Sequence, residues 1–273
     1  MISDHEGGWQ RVDQNADPTG YIEYLRSVSD LESVQGWKRQ TIQLMGVELG
    51  QTVLDVGCGR GDEVIALARI VGERGKSVGL DASAAMVAEA QRQADDARVR
   101  VELRVGDAHA LPFPDATFDA ARIERTLLHL AKPDRAIAEL RRVTRPGGRV
   151  VAADPDWATL TVDAPDEGAT AIMLQAHLSH VTNGTMGRQL RRRFIDAGFE
   201  DIAYEVMAFA LTDFALGDRI LGLTESAHEA VADEMISSER AQAWLDSLTD
   251  ADRRGRFIAS LTGFIVSGRV PAA

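Results

Sequence analysis

A single cysteine, Cys58, stands in the 273-residue chain, so no intrachain disulfide can form and no cysteine-based zinc site can be built. This suits a reducing cytoplasm. Positive charge is also short, with 30 Lys and Arg against 42 Asp and Glu, a net charge of -12 and an isoelectric point near 5.0. Nucleic acid and anionic membrane surfaces both demand clustered cations, so neither is an expected partner. Nowhere do eighteen apolar residues run together, and "MISDHEGGWQ" lacks a basic region followed by an apolar one. We therefore expect neither a membrane span nor a signal peptide. No internal repeat, low-complexity tract or Pro/Gly/Ser-rich linker divides the chain.

What is present is an alternation. From about residue 52 to 155, apolar runs and helical patterns take turns, the mark of βα units around a mostly parallel sheet. "TVLDVG", "SVGLDA", "FDAARIE" and "RVVAADP" read as strands. "VRVELRV", residues 99–105, alternates apolar with charged residues and so belongs at a sheet edge with one wet face. A helix is predicted over residues 62–71, with Asp62 and Glu63 at its positive end and Gly72 as its stop. Ser83 caps a second and Pro133 begins a third. Before residue 52 the chain reads as a helical cover, with Trp37, Thr41 and Leu44 on one face and "DPTGY" as a turn. Past Pro155 the rhythm breaks into helices over residues 167–181, 187–197 and between 216 and 248, punctuated by the strand-like "IAYEVMAFAL" and "FIASLTGFIVSG". We expect one domain over residues 1–273, with an N-terminal cover (1–50), a cofactor-binding core (51–158) and substrate-side helices with the last two strands (159–273).

The chemistry concentrates in "VLDVGCGRGD", residues 53–62. Glycines at 57, 59 and 61 permit positive φ and remove side chains that would keep a ligand away, and the following helix offers unpaired N–H groups. A tight turn with close strand–helix packing is the alternative. Where a dinucleotide fingerprint has its last glycine, Asp62 stands. A carboxylate there suits a ligand with a positive group better than a pyrophosphate. Asp81, about twenty residues on, stands where an acidic residue can accept ribose hydroxyls. Asp107, at the end of another strand, could meet an adenine amino group.

With "VGLDAS", "GDAHALPFPDATFD", "ERTLLHLAKPDRAIAELRRVTRPGGRVVAADPDW" and "GRQLRRRFIDAGFEDI" in order after that loop, the chain resembles class I S-adenosylmethionine-dependent methyltransferases of the ubiquinone/menaquinone-type small-molecule branch. The resemblance covers about residues 51–202. It implies a Rossmann-like α/β fold: a seven-stranded sheet in the order 3-2-1-4-5-7-6 with the last strand antiparallel, helices on both faces and a helical lid. It also implies S-adenosyl-L-methionine as cofactor. Asp55, Gly57, Cys58, Gly59 and Gly61 would face its methionine part and Asp81 its ribose. Ala82 and Met86 would pack near the adenine, Asp107 and Ala108 would contact its edge, and Glu124 and Arg125 would line the methionine side. Arg60 departs from the Thr, Ser or Tyr common after the second glycine.

The expected reaction is in-line methyl transfer to O, N or C of a small organic molecule, such as a secondary metabolite. His129, in "LLHLAKP", is the candidate general base, with packing at a helix start as its bland alternative. Tyr21, Tyr24, Trp157, His177, His180 and Arg188 are candidates for the substrate side, and Trp9 is a further aromatic near the expected pocket edge. The acidic "DPD" at 154–156 reads as a strand-end wall of the pocket, and no metal site is expected. Two rivals stand beside this reading. One is a cofactor-binding protein without methyl transfer, a cyclase or regulator. The other is an NAD-dependent oxidoreductase, disfavoured by Asp62 and by the lack of a Tyr-x-x-x-Lys site.

Overall fold

The structure, a computed structural model, describes residues 12–13, 18–29 and 31–272. Two helices, α1 (Pro18–Ser29) and α2 (Glu32–Met45), precede the sheet. Helix α1 replaces the expected turn at "DPTGY", because a proline's missing N–H costs nothing in a helix's first turn. Helix α2 buries Trp37, Thr41 and Met45 at helical spacing, and Lys38 with them, while Leu44 is half-buried.

Strands β1 (Thr52–Val56), β2 (Lys76–Asp81), β3 (Glu102–Val105), β4 (Phe118–Glu124), β5 (Thr144–Val162), β6 (Glu200–Leu211) and β7 (Ala259–Arg269) form one sheet in the order β3-β2-β1-β4-β5-β7-β6. Strands β1 to β5 pair in parallel, and β7 runs antiparallel to both β5 and β6. The alternating segment does form the edge, though only residues 102–105 pair. Helices α3 (Asp62–Val71), α4 (Ala84–Asp96) and α5 (Pro133–Val143) alternate with the parallel strands. Ser83 caps α4 by accepting the Met86 N–H. Beyond them lie α6 (Glu167–His180), α7 (Met186–Asp196), α8 (Phe214–Leu221), α9 (Leu223–Ala232) and α10 (Ser238–Arg253).

Strand β5 does not stop at Pro155. Proline cannot donate to a ladder and usually ends a central strand. Here the register slips between Asp156 and Thr161, and in that irregular stretch Trp157 donates its N–H to the Gly184 carbonyl at 2.7 Å instead of to β7. Pairing then resumes from Thr161 to Val162. This irregularity turns the strand's end toward α6 and α7, where it matters for the site. No described helix is long and apolar enough to cross a membrane.

Trp37 packs closely on Gly263 of β7, where a Cβ would sit 2.1 Å from the indole ring and 2.7 Å from Phe209. Gly263→Ala should therefore cost about 1–3 kcal/mol of stability through overpacking. Urea unfolding measures it, and the added substitution Trp37→Leu should recover part of the loss. An unchanged midpoint in Gly263→Ala would show that Trp37 does not set the seat of α2.

Candidate active site

A cavity of about 610 Å³ opens at the carboxyl ends of the parallel strands, where open α/β sheets gather their ligands. Asp55, Asp81 and Glu124 line it from strand ends; Tyr24, Leu25 and Lys38 line it from the N-terminal helices. Trp157, His177, His180 and Arg219 line it from the later chain.

The glycine loop is shaped by its own geometry. Gly57, Gly59 and Gly61 have φ of 72°, 50° and 84°. A Cβ on Gly57 would stand 2.1 Å from the Thr126 hydroxyl oxygen, and one on Gly61 would stand 2.8 Å from the Ala90 Cβ. The Gly57 and Cys58 amides donate to the Leu80 carbonyl at 2.7 and 3.1 Å, which docks the loop on β2. Gly61 itself does not face the cavity; it lets α3 approach α4.

Asp81 closes the loop from the next strand. Its Oδ2 accepts the Gly59 N–H at 2.8 Å and its Oδ1 the Ser83 N–H at 2.9 Å. Burial raises this carboxyl above its ordinary range, and the two amides offset only part of that rise. Cys58 is held as a thiol, because burial, Asp81 and Asp55 all push its pKa upward. Ala82, Met86, Asp107 and Ala108 continue the lining. Asp107 is open to solvent, and its Oδ1 takes both the His109 N–H at 2.8 Å and the His109 Nδ1 at 2.7 Å. Tyr21 does not line the cavity; it packs behind it on Val12 and Met86. Trp9 lies outside the described residues.

Beneath the loop sits an ionic cluster that the sequence pattern did not disclose. Arg122, at the centre of β4, is 1% exposed. Its guanidinium bonds Glu124, reaches Thr41 Oγ1 at 3.1 Å and pairs with Asp55 at 3.4 Å. Lys38, also buried, pairs with Glu63 at 2.7 Å and hydrogen-bonds Ser29 at 3.0 Å. Burial works against the Glu63 carboxylate, yet Lys38 and Arg122 outweigh it and hold its pKa below the usual value. Burial likewise opposes the Arg122 charge, and Asp55, Glu124 and Glu63 outweigh it. Asp55 fares otherwise: burial lifts it to about 7 against the pull of Arg122. Among the described residues the lining holds eight carboxylates and five Lys or Arg side chains, so the cavity favours a ligand of net positive charge. Arg60 is bound in the lining, at 3.3 Å from Asp62 and 3.1 Å from Gln93.

Trp157, His177, His180 and His129 also face the cavity. His129 ends a 3₁₀ turn, Leu127–His129. His180 Nε2 lies 3.2 Å from Asp233. Arg188 is not in the lining: its guanidinium binds Asp156, which is 0% exposed. The "DPD" wall is corrected by strand alternation. Pro155 and Trp157 line the cavity, whereas Asp154 and Asp156 are fully buried. Burial holds Asp154 well above the carboxylate range, and the backbone amides of Leu128 and Leu127 offset only part of that rise. No group of three or more metal-ligating side chains gathers among the described residues.

Residues 53–148 match a family model described as a methyltransferase domain. The chain is 36% identical over 261 residues to an uncharacterized 37.1 kDa protein in transposon TN4556 of Streptomyces fradiae, covering 94% of this chain and 73% of that protein. To a demethylmenaquinone methyltransferase of Bacillus cereus it is 36% identical over 137 residues, 50% of this chain and 58% of the relative. The chain thus aligns with less than two thirds of that enzyme's length. Among solved structures, phosphoethanolamine N-methyltransferase 2 of Haemonchus contortus with S-adenosyl-L-methionine superposes at a TM-score of 0.62, with 17% identity over 99% of this chain and 60% of that one. The 4+2 cyclase SpnF superposes at 0.59, with 23% identity over 97% of both chains. At these identities the structural likeness shows the fold alone.

Asp55 gives the site a pH signature. Its folded pKa, about 7, stands above the 3.8 of an unperturbed aspartate, so between these values the native chain keeps a proton that the unfolded chain has shed. Stability therefore falls as pH rises from about 4 to 7, by up to about 1.4 kcal/mol per pH unit from this group. Urea unfolding without ligand between pH 5 and 7 should show a steeper decline in the wild type than in Asp55→Asn. Equal slopes would contradict the assignment.

Proposed function

Because the chain belongs to the class I S-adenosylmethionine-dependent methyltransferases of small-molecule type, we propose that its cavity holds the cofactor along the strand ends and a small organic acceptor against the Trp157 wall. The observation that carries this reading is Asp81, a half-buried carboxylate fixed by two backbone amides at the mouth of a glycine loop.

The residues fit the cofactor in shape and in charge. The glycines at 57 and 59 clear the approach to the backbone. Each Asp81 oxygen takes one amide and keeps a lone pair for a ribose hydroxyl. Asp107 Oδ2 is available to an adenine amino group, since His109 occupies Oδ1. Asp55 and Glu124 offer the methionine ammonium a negative seat, and the surplus of carboxylates suits a sulfonium. Bound there, S-adenosylmethionine supplies an electrophilic methyl group. The chain's own task is to orient an acceptor atom about 3 Å from that carbon and to exclude water. Tyr24 and Leu25 of α1 close the loop side, Leu25 lying 3.3 Å from where a Gly59 Cβ would stand. His129 and His177 place two imidazoles in the same cavity as candidate proton acceptors.

An ionised carboxylate that accepts ribose hydroxyls contributes roughly 1.5 to 3 kcal/mol. Asp81→Ala should weaken S-adenosylmethionine and S-adenosylhomocysteine equally, by roughly 10- to 150-fold in calorimetric titration. Circular dichroism checks that the variant is folded. Unchanged affinity would remove Asp81 from the ribose site, and failure of the wild type to bind either ligand would overturn the proposal.

A further inference from the structure

A second cavity, about 100 Å³, adjoins the main one, and Trp157, Ile220 and Arg125 line both. Val34 of α2, Leu211 of β6 and Leu261 of β7 give the second cavity an apolar wall. Among the described residues, Arg125 is the one charged side chain in that wall. Glu225 and Glu229 of α9 line the main cavity and are absent from the second. An occupant of the second cavity therefore meets apolar surface along its length and a single positive charge where the two cavities join.

That charge is held differently from its neighbours. Lys38, Arg60 and Arg122 each hydrogen-bond side chains beside them. The Arg125 side chain donates no hydrogen bond to a described residue: its Nε is buried 3.4 Å from Glu124 Oε1, and 28% of the side chain is exposed. Arg125 stands one residue past the end of β4 with φ of 49°, a left-handed conformation uncommon outside glycine. Its N–H donates to the Ala153 carbonyl at 2.8 Å. The chain thus turns out of the ladder at the residue that lies between the two cavities. A guanidinium in a partly desolvated site is best met by a carboxylate, which matches its planar fork. An apolar wall is best met by an apolar body.

Resting on the methyl-transfer reading above, we infer that the acceptor is an apolar-tailed carboxylic acid whose carboxylate lies on Arg125 and whose tail fills the second cavity. The carboxylate is then the end of the molecule that faces the main cavity, and so the nucleophile. One oxygen stays on the guanidinium while the other forms the bond to the methyl carbon. The C–S bond breaks, the sulfonium sulfur keeps its electron pair, and the products are a methyl ester and S-adenosylhomocysteine. No proton is transferred, because a carboxylic acid is already ionised at neutral pH. Leu211 and Leu261 limit the tail.

Binding and turnover test this. The full chain saturated with S-adenosylhomocysteine is titrated calorimetrically with 4-butylbenzoate, benzoate and 4-butylbenzylamine. The butylbenzoate should bind, the amine more weakly, and affinity should rise about four-fold per methylene from benzoate to its butyl derivative. Arg125→Gln should weaken 4-butylbenzoate roughly 10- to 150-fold and leave S-adenosylhomocysteine binding unchanged. Leu211→Phe and Leu261→Phe, each checked for folding by circular dichroism, should remove the gain from the butyl group and spare benzoate. With S-adenosylmethionine, mass spectrometry should detect methyl 4-butylbenzoate. Tighter binding of the amine, equal butylbenzoate affinity in Arg125→Gln, or a butyl gain that survives in both folded phenylalanine variants overturns the inference. So does a parallel loss of S-adenosylhomocysteine affinity in Arg125→Gln, which would give this residue to the cofactor's own carboxylate. If S-adenosylhomocysteine binds but 4-butylbenzoate neither binds nor forms the ester, the inference falls and the parent reading stands; absence of S-adenosylhomocysteine binding sinks both.

Discussion

The guanidinium of Arg122 is the constraint on which the cofactor end of the molecule depends. A charge this deeply buried is tolerated only if partners surround it, and its partners come from separate elements: Asp55 from β1, Glu124 from its own strand, Glu63 from α3 and Thr41 from α2. Register makes the first pairing possible, for Asp55 and Arg122 stand opposite each other in the β1–β4 ladder. Lys38 completes the set by neutralising Glu63. The cluster therefore ties the N-terminal helices to the sheet directly under the glycine loop. Deep burial outweighs the pull of Arg122 on Asp55, with Glu63 and Glu124 adding to the rise, and so this carboxyl keeps its proton up to near-neutral pH.

This arrangement couples fold to proposed function. Replacing Arg122 by an apolar residue would strand three carboxylates in a low-dielectric interior, where each lost partner is costly. Those same carboxylates form the seat offered to a cofactor's ammonium group. The acceptor wall is built on different terms. Its imidazole and indole are packed by α6, α8 and α9, and the slip in β5 after Asp156 brings Trp157 across to meet them. One end of the cavity is thus held by charge, and the other by packing with a few directed hydrogen bonds.

Local features were legible in the sequence, and the partners of distant charges were not. The glycine loop, Asp81, the Ser83 cap, the span of α3 and the edge position of β3 follow from spacing and turn chemistry within short windows. The strand order came with the family resemblance and agrees with the sheet. Arg122 was hidden inside "FDAARIE", which reads as a strand but carries no sign of which residues will face its one buried charge. Lys38 was hidden likewise on the apolar face of α2. Pro155 misled because proline usually ends a strand; only the antiparallel neighbour β7, a hundred residues away, shows how pairing resumes. Arg188 looked available at a helix start, and its pairing with Asp156 is another long-range contact.

If the carboxylate cluster is the seat of a cationic cofactor, the entry of that cation must drive Asp55 to ionise, since a nearby positive charge favours the charged form. Titration calorimetry of S-adenosylmethionine binding, repeated in buffers of different ionisation heat, counts the protons exchanged. At pH 6, one unit below the Asp55 value of about 7, close to one proton should be released per ligand bound, with the release shrinking toward pH 8 and absent in Asp55→Asn. Binding with no proton exchange at pH 6 would contradict the account.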